Sequence, residues 1–370
     1  MADRYAIAPM LIPIAATFNV SLVAASGAAS LYYLAYGLMP LLYGLLADRF
    51  GRIRIIRAAL SGMVLADVFS ALSPNLPALL VARFVAGGIA CGVFPTTLVY
   101  LGDRFAFAVR QQAITSVLAS VALGTAAGTI VGGLIAHALT WRLFFLLPAV
   151  VAVVVSIALG RIPESLTARS SGNPWQQVGR VFSHGWAWIL LALAVVQGSA
   201  MFGLVTYLAP ALEAAGESAA IAGSVVAGYG LSVLVLTRAV NRLASRVPAA
   251  ALLGAGALML LTGYGLAAAS QTVVTILAAS VLAGGAYAFM QSTFQAWFTD
   301  VVPEARGTAT ALFATAIFGG AALATWAVAG LASAHQYRVL FLIGGALTVP
   351  LLVGGTLARG RYQGSAPVEP

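Results

Sequence analysis

The amino-acid sequence predicts an all-α polytopic membrane protein, a bundle of twelve transmembrane helices arranged as two six-helix halves. Three observations carry that expectation. Of 370 residues, 61% are hydrophobic and the mean hydropathy is +0.98. A soluble domain has no use for so much apolar surface, whereas a bilayer replaces the water-excluded core as the apolar environment. The apolar residues also fall into stretches of roughly 18–27, the length that about 30 Å of hydrocarbon demands. Finally, charged residues make up only 8% of the chain and gather in the short links between those stretches.

Taken in order, the spans are expected near 3–18, 28–47, 54–73, 76–100, 111–137, 140–160, 185–209, 218–240, 248–269, 272–297, 306–333 and 337–358. The first is short, because the link Phe18-Asn19-Val20-Ser21 follows it early. That shortness suggests a natural chain with further residues upstream of Met1. No signal peptide is read there, since Asp3 stands where a basic segment belongs. The other end, Ser-Ala-Pro-Val-Glu-Pro, holds no lipidation motif.

All 19 basic residues are arginine, and their distribution sets the topology. Arg49, Arg52, Arg54 and Arg57 share one side with Arg104, Arg110, Arg161, Arg169 and Arg180. Arg238, Arg242, Arg246, Arg306, Arg359 and Arg361 complete that side, while only Arg142 and Arg338 lie opposite. Positive charge stays cytoplasmic, so both termini are expected in the cytoplasm of an inner (plasma) membrane protein. A net charge of +9 confined to such links argues against nucleic acid as a partner.

The interval Arg161–Ser183 is the longest polar stretch, broken by Pro163, Gly172, Asn173 and Pro174. It divides the chain into a first half (1–160), a central cytoplasmic linker (161–184), a second half (185–360) and a tail (361–370). A weak internal repeat supports the division. Leu101-Gly102-Asp103 followed by Arg110 recurs as Thr299-Asp300 followed by Arg306. Thr140-Trp141-Arg142 echoes Gln336-Tyr337-Arg338, and Gly87-Gly88 echoes Gly284-Gly285, at a nearly constant offset of about half the chain. Parallel halves with a site between them are what alternating access requires.

Enzymatic chemistry is not indicated. The sole cysteine, Cys91, sits in an apolar run, and His137, His184 and His335 lie at span ends far apart in sequence. There is no Walker sequence, zinc motif or hydrolase constellation, so no cofactor and no metal are expected.

The densest charge lies in Gly44-Leu-Leu-Ala-Asp48-Arg49-Phe-Gly51-Arg52, directly after the second span. Its pattern, Gly-x-x-x-Asp-Arg-x-Gly-Arg, resembles the loop between helices 2 and 3 of major facilitator superfamily transporters. In the second half the corresponding Asn241-Arg242-Leu243-Ala244 has decayed. The resemblance implies a gating latch. Asp48 would meet the positive amino terminus of the eleventh helix near Pro303–Gly307, and Arg49 or Arg52 would pair with Asp103. The plainer reading makes the arginines topology determinants only.

Other residues resemble the drug:proton antiporter branch of that family. Asp3 precedes Ala8-Pro9 by a spacing similar to helix 1 of those proteins, where a carboxylate exchanges proton for substrate. Left as a mere solvated amino terminus, it would instead pair with Arg4. Arg83, four residues before Gly87, resembles the family's helix 4 arginine, implicated in proton transfer, although Ala86 replaces the usual Gln. It could equally be a structural partner of Asp3 or Asp67. Asp67 lies within the third span and is either a proton site or an acid capped by a serine or backbone group, the latter favoured because that helix is usually peripheral. Gly124-x-x-x-Gly128-Thr129-x-x-Gly132-Gly133 resembles the antiporter signature of helix 5 with its proline lost; helix packing alone would also explain it.

The family places helices 1, 4, 7 and 10 around the cavity, and these carry Tyr5, Gln197, Tyr207, Tyr287, Gln291 and Gln295. Tyr287, Gln291 and Gln295 repeat every four residues on one stripe. Amides facing lipid are costly, so the stripe is expected to face the cavity or another helix. The remaining tyrosines and tryptophans read as interface anchors. The resemblance therefore implies proton-coupled efflux of a small amphipathic molecule by a protein that works as a monomer in the lipid bilayer. A symporter or facilitator importing a metabolite, and a membrane enzyme or assembly factor on the same fold, are the alternatives.

Overall fold

The computed structural model describes residues 2–105, 107–162, 164, 174–243 and 246–362. Among them ten helices are long and apolar enough to span a bilayer, a bent pair makes an eleventh, and a shorter apolar helix, Ala8–Phe18, stands where the first of the twelve is expected. In chain order they are α1 (Ala2–Ala6, Ala8–Met10, Leu11–Phe18), α2 (Leu22–Leu38, Pro40–Phe50) and α3 (Arg52–Leu72). Then come α4 (Leu76–Ala90, Val93–Arg104), α5 (Phe107–Ala138) and α6 (Trp141–Phe144, Leu146–Leu159). The second half has α7 (Gly185–Ala214), α8 (Ala219–Leu243), α9 (Ala249–Ala269), α10 (Val273–Val301), α11 (Pro303–Ser333) and α12 (Tyr337–Arg361).

One boundary departs clearly from expectation. α2 starts at Leu22 rather than at 28, because Ser21 caps it by accepting from the Ala24 amide at 3.3 Å. The same device opens each even-numbered helix from α2 to α10 on the arginine-poor side, with Asn75, Thr140, Ser218 and Thr272 as caps. A short oxygen-bearing side chain satisfies amides that the first turn leaves without partners. α2 also bends by 46° at Met39–Pro40, where the proline removes a donor and crowds the preceding turn.

The halves meet along two long seams, α2 against α11 and α5 against α8, with α1 reaching α7 and α8 between them. Glycine makes the closest crossings possible. A Cβ on Gly198 of α7 would stand 1.8 Å from the Ile317 carbonyl of α11, and one on Gly320 would stand 2.1 Å from the Val195 carbonyl. Gly87 of α4 and Gly284 of α10 stand in matching positions, each 2.2 Å by the same construction from a tyrosine carbonyl, Tyr32 and Tyr229. Small residues let backbones touch where lipid offers no hydrophobic drive to associate. α6 is peripheral and α7 central: 22% of the most apolar window is buried in the former against 67% in the latter.

At its middle α7 loosens into a π segment, Ser199–Gly203, followed by a 3₁₀ turn, Leu204–Tyr207. The Tyr264 hydroxyl donates to the Ala200 carbonyl in this segment, and Ser199 Oγ donates to the Gly320 carbonyl at 3.0 Å. Such irregularities inside a helix mark places where neighbours re-satisfy freed backbone groups.

Candidate functional site

Among the described residues, four charged side chains are buried: Asp3, Arg4, Asp67 and Arg83. Charges at this depth are expensive and gather where function needs them. Asp3 of α1 is not a solvated terminus. Arg83 of α4 donates to both of its oxygens, Nη1 to Oδ1 at 2.7 Å and Nη2 to Oδ2 at 3.1 Å. This fork is the geometry that suits a guanidinium to a carboxylate. The Arg83 guanidinium also lies over the rings of Tyr32 at 4.6 Å and Phe145 at 5.0 Å, while its Nε has no partner.

Asp67 of α3 completes the group. It is fully buried and lies within electrostatic range of both Asp3 and Arg83. Neither of its oxygens has a hydrogen-bond partner. The expectation of a serine or backbone cap is therefore overturned: the nearest serine in sequence, Ser70, donates instead to the Ala66 carbonyl at 2.8 Å. One guanidinium thus pairs with one carboxylate and lies within electrostatic range of a second.

Arg4 does not pair with its neighbour Asp3. Successive residues on a helix project about 100° apart, so the acid points into the first half and the base points into the seam between halves. There the Arg4 guanidinium sits over four rings, Tyr5 at 4.6 Å, Phe318 at 5.2 Å, Phe202 at 5.3 Å and Tyr36 at 5.6 Å. Its Nη2 donates to the Tyr5 hydroxyl at 3.0 Å, and its Nε has no partner. The cage continues into Tyr229, which accepts from the Tyr5 hydroxyl at 3.4 Å, and Tyr287, whose ring is 6.2 Å from that of Tyr229. At its centre is a cavity of about 20 Å³ lined by Arg4, Tyr5, Tyr33, Thr129, Phe202 and Thr206. That is room for about one water molecule.

Tyr287, Gln291 and Gln295 are all half-buried, and Gln291 Oε1 accepts from Gln197 Nε2 of α7 at 3.1 Å. Gln197 is wholly buried, and its own Oε1 has no partner. Reading the remaining tyrosines as interface anchors fails at midspan. Tyr32, Tyr33, Tyr36, Tyr229 and Tyr264 are all buried. On α2 the spacing of Tyr32 and Tyr36, one turn apart, held the signal.

The helix 5 glycines divide by role. Gly128, Gly132 and Gly133 pack tightly, a built Cβ falling 2.7 Å from Ala2, 3.0 Å from Ala6 and 2.3 Å from the Ala219 carbonyl respectively. Gly124 meets nothing within 4 Å. It borders a larger crevice of about 580 Å³ inside the first half, with Asp3, Tyr36, Ser120 and Val151 also on its walls.

In the charged loop, Gly51 takes φ +99° and precedes the first turn of α3. Glu164, beyond the end of α6, accepts from the Ile53 and Arg54 amides at 3.0 Å each. A Cβ at Gly51 would lie 2.6 Å from the Glu164 carboxyl carbon, so glycine is needed for both backbone and room. Sequence reasoning missed Glu164, whose partner amides are remote in the chain. Arg49 is exposed with its guanidinium 5.3 Å from the Phe50 ring centre, Arg52 is half-buried, and Gly44 has no neighbour for a Cβ within 4 Å. The side chains of Asp48 and Asp103 lie outside the described residues. Near the start of α11, Glu304 pairs with His184 at 3.5 Å and Thr308 donates to Gln177 of the linker helix Pro174–Ser183 at 2.8 Å.

Comparison with known proteins places these features in a family. The model of the Major Facilitator Superfamily matches residues 1–248 and 208–368. Among curated relatives, a triacylglyceride transporter of Mycolicibacterium smegmatis is 33% identical over 168 residues, which are 44% of this chain and 28% of that protein. A triacylglyceride transporter of Mycolicibacterium hassiacum is 37% identical over 93 residues, 25% of this chain and 17% of that one. The alignments thus cover less than a third of those relatives' lengths. Solved structures of similar fold include a D-xylose–proton symporter, 19% identical with TM-score 0.79 over 97% of this chain and 94% of that one. A bacterial homologue of the human lysosomal transporter Spinster, inward-facing and unoccupied, is 18% identical with TM-score 0.76 over 99% and 96%. At such identities the likeness shows the fold alone.

Proposed function

The chain belongs to the Major Facilitator Superfamily, and from that premise we propose that it is a proton-coupled secondary transporter exporting a small amphipathic molecule. The halves 1–160 and 185–360 rock about the seams α2–α11 and α5–α8, joined by the cytoplasmic linker 161–184. One observation carries the reading: the buried guanidinium of Arg83 pairs with one buried carboxylate, Asp3, and lies within electrostatic range of a second, Asp67. Asp67 carries the proton while Arg83 holds Asp3. When Asp67 gives the proton up, Arg83 is shared between two anions, and the contact that ties α1 to α4 weakens. Because α1 also lines the seam, this change at Asp3 alters the packing between halves. The arginine side of the membrane is cytoplasmic in this scheme, with Asp48, Arg49 and Arg52 latching that side.

Export rather than import rests on the helix 5 glycines and on the position of Asp3. Family members are transporters of either direction, so the test must report sidedness. In proteoliposomes of known orientation carrying a pH-sensitive dye, an amphipathic substrate should drive proton movement opposite to its own. Asp67→Asn should still move substrate but lose the proton flux, and Asp3→Asn should lose both. Proton movement in the same direction as substrate would identify a symporter instead. Coupling that survives in both variants would discard the assignment of the acids.

A further inference from the structure

We propose that the central site takes the anionic head of an amphiphile, a carboxylate or phosphate, on Arg4. This inference rests on the transport reading above and adds the charge class of its substrate. The charges in the seam point one way. Asp3 spends its charge on Arg83 and faces the first half, and Asp67 lies on α3, away from the seam. Arg4 is left as a buried cation, 5% exposed, held by the rings of Tyr5, Tyr36, Phe202 and Phe318 and, among the described residues, in no ion pair with a carboxylate. Its Nε has no partner and it lines the small central cavity. Rings offset the charge by their negative faces, but they supply no acceptor for the Nε–H.

The cage is also split. Tyr5 and Tyr36 belong to the first half, Phe202 and Phe318 to the second. Parting the halves strips Arg4 of two rings and opens the cavity around it. A planar oxyanion arriving then answers the guanidinium with paired hydrogen bonds, and its departure returns Arg4 to the cage. The aromatic walls suit an apolar body behind that head.

Binding to the full chain in nanodiscs of zwitterionic lipid tests this. The probes are dodecyl phosphate, dodecanoate, dodecanol, dodecyltrimethylammonium and inorganic phosphate. Wild type should bind the two anionic amphiphiles at least tenfold more tightly than the alcohol or the cation, and inorganic phosphate weakly. Arg4→Gln should erase that preference, while Arg4→Lys keeps most of it. A merely structural Arg4 would change stability and leave charge preference alone. If Arg4→Gln fails to fold, wild type and Arg4→Lys decide: preference for the cationic probe in either overturns the proposal. Inorganic phosphate binding as tightly as dodecyl phosphate overturns the amphiphile part. Anion binding that depends on Arg4 without proton movement keeps this inference and defeats the coupling mechanism. Proton-coupled movement of the cationic probe, unchanged in Arg4→Gln, does the reverse.

Discussion

The group Asp3–Arg83–Asp67 makes a quantitative prediction about stability that is independent of substrate. Removing one partner of a buried ion pair costs about 3–5 kcal/mol when the other charge is left alone. Here Arg83 has a second carboxylate in electrostatic range whose oxygens are unengaged. In Asp3→Asn the guanidinium can therefore turn to Asp67, and the cost should fall to about 1–3 kcal/mol, the range for an imperfectly replaced polar contact. Asp67→Asn loses no hydrogen bond and should lie within about 1 kcal/mol of wild type, since a buried polar group without partners contributes nothing by staying. The double variant strands Arg83 and should cost the full 3–5 kcal/mol or so. The double-mutant cycle, measured by reversible unfolding in mixed micelles, should then return a coupling of at least about 1 kcal/mol. Additivity within about 0.5 kcal/mol would refute the sharing of Arg83, because residues that do not share a partner have no reason to couple.

Two further predictions concern backbone geometry. Gly87→Ala and Gly284→Ala place a Cβ 2.2 Å from a tyrosine carbonyl in each half and should each lower stability by about 1–3 kcal/mol, the usual cost of overpacking. Gly124→Ala, with nothing within 4 Å, should unfold at the wild-type midpoint; equal losses in all three would show that the close approaches do not decide. At the start of α3, Glu164→Gln should weaken a cap by about 0.5–2 kcal/mol and speed amide exchange at Ile53 and Arg54. Gly51→Ala should speed the same amides further, as it adds backbone strain to the collision. Unchanged exchange in both variants would remove Glu164 from the cap.

Much of the fold was legible because lipid leaves few choices: spanning segments must satisfy their own backbone, so length and hydropathy give the helices directly. The start of α2 was misplaced because its first residues, Leu22 to Gly27, are small and apolar without a charged boundary, and only the cap at Ser21 marks the turn. The pairing of Arg83 was visible as one of two options, since sequence spacing places an arginine and two acids at membrane depth without saying which carboxylate the helix packing brings nearer. The cap from Glu164 was not legible. It depends on where the chain after α6 passes α3, a tertiary fact with no periodic trace. Nor was the cage. Each aromatic residue alone reads as core or anchor, and only the crossing of α1, α2, α7 and α11 collects four rings on one guanidinium.

The adjacency of Asp3 and Arg4 then acquires a physical meaning. Two neighbouring residues on one turn are about 100° apart around the helix and move as one body. The first is clamped to α4 by a buried ion pair, the second to the opposite half by rings. Loss of the proton from Asp67 loosens the clamp on Asp3 and frees α1 to turn or shift, and the same movement lifts Arg4 from Phe202 and Phe318. Conversely, an anion on Arg4 favours the arrangement in which those rings have gone. On the proposed reading the linkage is reciprocal, as thermodynamics requires of any two sites sharing one bistable element. It needs no relay of side chains, only a helix too stiff for one residue to move without the next.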